Sequence, residues 1–108
     1  MKKTLTALVA ILPLFCATIP SYAQGIEWEA LNTEVLSLYR QGDFDRAVVI
    51  ATKALQVAEQ AMGANHPSVA TSLNNLAEIY QTQGQYAQAV PLYKRSLAID
   101  EQIGRAHV

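Results

Sequence analysis

Two histidines, one cysteine, nine carboxylates and a run of amides and hydroxyls are the side chains of this chain with any capacity for chemistry. The histidines, His66 and His107, stand 41 positions apart with no cluster of Cys, His or carboxylate partners around either, so a zinc-type ligand set is missing. Cys16 lies inside an apolar run and is the only thiol. No serine stands in a nucleophile-elbow context and no glycine-rich loop could cradle a phosphate. The acidic pairs Asp43/Asp45 and Asp100/Glu101 suit helix capping and solvated faces better than acid–base work. These residues point to no catalysis and call for no cofactor or metal. The more informative polar residues are Thr71, Asn74, Asn75, Glu78 and Thr82, whose three- and four-residue spacings put most of them on one side of a helix.

The elements that would position those side chains begin after an N-terminal leader. Lys2 and Lys3 precede an apolar run from Leu5 to Ile19, and Pro20 ends it. Ser21-Tyr22-Ala23 then places small residues at −3 and −1 of a cut after Ala23, the pattern of a secretory signal peptide over residues 1–23. A membrane span needs roughly 20 apolar residues, and this run is shorter and interrupted by Pro13. Phe15 before Cys16 is too bulky for a lipoprotein signal. Cleavage leaves 85 residues, Gln24 to Val108, without a cysteine to form a disulfide. Losing Lys2 and Lys3 from the eight basic residues leaves six against nine acidic ones. With no basic patch, neither nucleic acid nor an anionic membrane surface is an expected partner.

The rest of the chain repeats itself. Residues 31–60 laid over 73–102, an offset of 42, match at Leu31/Leu73, Asn32/Asn74, Gly42/Gly84, Ala47/Ala89, Val48/Val90 and Leu55/Leu97, among others. Each unit reads as two helices around a glycine turn. In the second, Val69, Leu73, Leu76, Ala77 and Tyr80 form one apolar stripe and Tyr86, Ala89, Val90, Tyr93 and Leu97 the next, with Gly84 between them. Pro67 suits a first helical turn, and Pro91 falls early enough in its helix to bend it slightly and not break it. In the first, Trp28, Leu31, Val35 and Leu38 precede Gly42, and Phe44, Ala47, Val48, Ala51, Leu55 and Ala58 follow it. Asp43 can cap the second helix, with Gln85 a weaker equivalent, and His66 dresses the turn between the units. Glu34 falls where the ungapped alignment wants an apolar residue, and Tyr39 lies three residues before Gly42 whereas Tyr80 lies four before Gly84. Sliding the first helix by one residue repairs both and implies a turn one residue shorter.

The stretch from His66 to Gly104, HPSVATSLNNLAEIYQTQGQYAQAVPLYKRSLAIDEQIG, resembles the tetratricopeptide repeat, and more closely its kinesin light chain-like, 42-residue variety. The resemblance implies an all-α, right-handed solenoid of about two helical hairpins over residues 28–108, with repeats at about 28–61 and 70–103. Its structural signature falls on Gly42, Ala47, Leu76, Ala77, Tyr80, Gly84, Tyr86, Ala89 and Tyr93, with Ser96 in place of a small Ala. Small residues let the helices nest, and Tyr80, Tyr86 and Tyr93 fill the space around them. It further implies a concave surface lined by the first helix of each hairpin, where Asn74, with Asn32 and Glu78, would hold an extended protein segment or peptide. The same amides would also serve to bond neighbouring helices or water, the reading preferred for Asn75.

The expected function is thus an exported, non-catalytic scaffold for protein or peptide binding, in a bacterial periplasm or secreted, with no membrane contact after cleavage. The alternative is the N-terminal part of a longer repeat protein whose effector or enzymatic domain is missing. Gly104-Arg105-Ala106-His107 repeats the spacing of Gly63-Ala64-Asn65-His66, as though another unit should follow. A third route is homodimerisation through a C-terminal apolar face of Leu92, Leu97, Ile99 and Ile103.

Overall fold

A computed structural model describes residues 21–106. Most of the expected leader and His107 lie outside the described residues. Four helices follow one another: α1 (Ser21–Gln41), α2 (Phe44–Met62), α3 (Pro67–Thr82) and α4 (Tyr86–Ala106). They form two antiparallel hairpins, α1–α2 and α3–α4, and α3 also packs on α2, so the described chain is an all-α solenoid. No helix among the described residues is long and apolar enough to cross a membrane. The first helix starts at Ser21, so Ser21–Ala23, the expected cleavage site, is its first turn.

Local chemistry sets the helix ends. The Asp43 carboxylate accepts from the Arg46 backbone N–H at 3.4 Å, as capping requires. At the start of α3 the cap is His66, whose Nδ1 accepts from the Ser68 N–H at 3.1 Å, with Pro67 in the first turn. Gln85 supplies its carbonyl, which accepts from Gln88 and Ala89. Pro91 is accommodated within a continuous α4.

The two intra-hairpin turns are the same turn. Gly42 donates to the Tyr39 carbonyl and Asp43 to that of Leu38, both at 3.0 Å. Gly84 donates to Gln81 at 2.9 Å and Gln85 to Tyr80 at 2.8 Å, each 42 positions on. Both glycines have φ +78°, a region that costs a residue with a Cβ but not glycine. The turn of the first hairpin is therefore not one residue shorter, and the expected slide of α1 does not occur. Glu34 departs from the apolar pattern because, among the described residues, no helix packs on the outer side of α1, and the exposed carboxylate keeps its water. Tyr39 stands in the place of Gln81, and Leu38 in that of Tyr80.

The core is continuous across the hairpins. One cluster joins Val35, Leu38, Ala47, Ala51, Leu76 and Ile79, and a second joins Ala58, Val69, Ala70, Leu73 and Ile99. Small residues sit where helices approach: Ala47, Ala51, Ala54 and Ala58 line one face of α2 and are all buried, as are Ala77, Ala89 and Ser96. Ser96 is satisfied in the interior by donating to the Ala70 carbonyl at 3.0 Å.

Two expectations about α4 fail. Its inward stripe is Ala89, Ser96 and Ile99 with half-buried Leu92, Tyr93 and Ile103, whereas Tyr86, Val90 and Leu97 of the expected stripe are exposed. Tyr86 thus fills no space between helices, although Tyr80 and Tyr93 are half-buried. The proposed dimer face does not exist as a surface either. Ile99 is buried, Leu92 and Ile103 pack on the core, and Leu97 alone of the four is exposed. The cause is common: α4 carries two interleaved apolar stripes, and α3 covers the one through Leu92 and Ile99.

Candidate functional site

The places where α1 and α3 meet are held by polar bonds at each level. The Trp28 indole N–H donates to the Ser72 hydroxyl at 2.7 Å, deep enough to be partly buried. In the middle the Asn75 amide donates to the Asn32 carbonyl oxygen at 2.6 Å. At the far end the hydroxyls of Tyr39 and Thr82 are 2.9 Å apart. Two amides bonded to each other in a partly buried groove have the geometry to fix one helix against the next, because either left alone would lose water without replacement.

Beside this seam a cavity of about 290 Å³ is lined by Val35, Leu36, Tyr39, Arg40, Asn75, Glu78 and Ile79. Its floor is apolar, with Val35 and Ile79 buried, and its rim carries one cation, one carboxylate and one amide. Leu36 presents an exposed apolar side chain there. Such a combination suits an extended segment: an apolar side chain can enter while main-chain groups meet the amide and the charges. Tyr93 is close by, donating to the Gln81 side chain at 2.7 Å. Its phenol pKa is raised by partial burial, and further by the neighbouring Glu78 charge and by Tyr39.

The expected binding residues divide between two places. Glu78 lines the α1/α3 cavity, and Asn32 borders it through its bond to Asn75. Asn74 does not reach it. It lines a separate polar cavity of about 250 Å³ with Ala70, Thr71, Ser96 and Asp100, between α3 and α4. Asn75 bonds the neighbouring helix, as preferred for it from the sequence. Leu36, Tyr39 and Arg40 were missed as site residues; the signal available was Leu36, an apolar residue off the apolar stripe of its own helix.

The arrangement of two stacked hairpins with small residues at their crossings has a counterpart among known families. The tetratricopeptide-repeat family model matches residues 29–102. The chain belongs to the tetratricopeptide-repeat family. Nephrocystin-3 from Xenopus laevis is 39% identical to it over 86 residues, covering 72% of this chain and 7% of that protein. The Xenopus tropicalis nephrocystin-3 is 41% identical with the same coverage. The RxLR effector protein SFI4 of Phytophthora infestans is 30% identical over 66 residues, 61% of this chain and 20% of the effector. The chain therefore spans a small fraction of the length of these relatives. Repeats of this family are protein–protein interaction scaffolds, and the family is in general non-catalytic.

Proposed function

We propose that the chain is an exported, non-catalytic binding module that holds an extended peptide segment of another protein along the α1/α3 groove. The observation that carries this reading is the cavity itself, an apolar floor at Val35 and Ile79 rimmed by Leu36, Arg40, Asn75 and Glu78. The opposite charges of Arg40 and Glu78 on one rim favour a segment of mixed charge around an apolar anchor. Export rests on the leader pattern of residues 1–23; cutting after Ala23 trims only the first turn of α1 and leaves Trp28 and its bond to Ser72 in place.

Selection of random peptides displayed on phage against the purified protein tests the binding reading. Enriched peptides should share an apolar anchor and lose binding to Leu36→Glu or Arg40→Glu variants. Enrichment that survives both variants would place binding elsewhere. Export is tested separately, by expressing the whole chain in a bacterium and sequencing the N-terminus of the extracytoplasmic product, expected at Gln24.

A further inference from the structure

A cut after Ala23 turns Gln24 from an internal residue of α1 into a reactive one. In the uncut chain its backbone nitrogen is an amide bonded to Ala23 within the helix Ser21–Gln41, and resonance with the carbonyl ties up its electron pair. Cutting that bond leaves an α-amine, whose ordinary pKa of about 8 keeps roughly a tenth of it neutral at pH ~7. The same residue carries a primary amide at Cδ, placed so that attack by its own nitrogen closes a five-membered ring. Holding both groups on one residue makes the reaction unimolecular, with no second molecule to position. Every other glutamine keeps an acylated nitrogen and cannot follow this path.

The surroundings of this end favour the product. Gln24 is half-buried, and the α1 backbone beside it lies against the end of α2, where a Cβ on Gly25 would stand 3.8 Å from the Met62 terminal methyl. An α-ammonium made here sits near an apolar side chain at the positive end of a helix, a place that disfavours a cation. Glu27, three residues on, is exposed and solvated, so its pull on that ammonium is small. The lactam is neutral, keeps one N–H and presents one carbonyl. It lies one turn ahead of Trp28, whose bond to Ser72 it leaves untouched.

We infer that the exported chain begins with pyroglutamate, formed from Gln24. The Gln24 nitrogen bonds to its own Cδ, the Cδ–Nε2 bond breaks, and Nε2 leaves as ammonia with the proton that the amine gives up. No oxidant, reductant or co-reactant enters. Only the export cut frees the amine, so this rests on the export reading. The mature protein gains an uncharged N-terminus, closed to aminopeptidases and to amine-directed reagents. Lys53 and Lys94 are then its only primary amines, because Lys2 and Lys3 leave with the leader. Stepwise chemical sequencing stops at such an end, so the cut is located by mass.

The test expresses the whole chain in a bacterium, with and without Gln24→Ser. The extracytoplasmic product is held in neutral buffer at growth temperature for several days and weighed by intact mass spectrometry. The parent product should be lighter than Gln24–Val108 by one ammonia, and reductive methylation should then modify two amines, those of Lys53 and Lys94. Pyroglutamyl aminopeptidase should remove the ring and expose Gly25. The Gln24→Ser product, with no side-chain carbonyl to attack, should keep its full mass and show a third reactive amine. A parent product of full mass with that third amine would overturn the inference and leave the export reading standing. Loss of ammonia with the third amine still reactive would also overturn it, since the ring would then have closed at an internal asparagine. A product that retains residues 1–23, or is cut at another bond, would overturn both.

Discussion

The register of the two hairpins makes opposite demands on Leu76 and Glu34, which occupy equivalent places in α3 and α1. Leu76 is 5% exposed and packs with Val35, Leu38, Ala47 and Ala51, while Glu34 is exposed. Truncating Leu76 to Ala removes three carbons from water-free surroundings, about 2.4 kcal/mol at ~0.8 kcal/mol per methylene. The space left, on the order of 60 Å³, adds about 1.4 kcal/mol at ~24 cal/mol per Å³ if the helices do not close over it. The sum, near 4 kcal/mol, is as large as the whole stability of a domain of this size at its lower end, roughly 4 kcal/mol at ~0.05 kcal/mol per residue. Leu76→Ala should therefore leave the chain partly unfolded in buffer, whereas Glu34→Ala should stay within about 0.5 kcal/mol of the parent. Urea titration followed by far-ultraviolet circular dichroism measures both. A cost above about 2 kcal/mol for Glu34→Ala, or a neutral Leu76→Ala, would refute the ungapped register.

Asn75→Ala breaks the partly buried bond to Asn32 and should cost about 1–2 kcal/mol, while Asn74→Ala should be near neutral in the chain as it stands; chemical denaturation of the two variants separates them. Ala89→Leu puts three extra carbons into a helix crossing where Ala89 is buried, an overpacking cost of about 1–3 kcal/mol visible as a lowered unfolding midpoint. Because the pKa of Tyr93 is raised in the folded chain, its contribution is complete below the unfolded value near 10 and is lost as pH rises through the folded value. A Tyr93→Phe variant should lack that component, so its stability should fall less steeply than the parent's above pH ~10 in denaturant titrations.

Helix content, turn positions and hairpin order were legible because each rests on local chemistry. Gly42 and Gly84 mark turns through backbone freedom, Asp43 and Pro67 mark helix starts, and the apolar residues of α2 and α3 each fall on one stripe. Position within the array was not legible. Glu34 looked like a register error because the comparison of two repeats treats them as equivalent, whereas no helix among the described residues packs on the outer side of α1. The reading of α4 failed for a related reason. Its sequence carries one stripe through Ala89, Ser96 and Ile99 and another through Tyr86, Val90 and Leu97, and periodicity alone does not say which one α3 covers. The groove was half legible. Glu78 lay on the expected face, but Asn75 and not Asn74 reaches the α1/α3 cavity, a choice made by one step of helical rotation, about 100°. Contacts such as Trp28 to Ser72 join residues 44 apart and carry no periodic signal.

Chemical-shift mapping by NMR of the isotopically labelled protein, titrated with a phage-selected peptide, tests directly whether the α1/α3 groove holds the peptide. The largest perturbations should gather on Leu36, Tyr39, Arg40, Asn75 and Glu78, along the groove between α1 and α3. Perturbations gathered on the outer faces of α2 or α4, with that groove silent, would contradict groove binding.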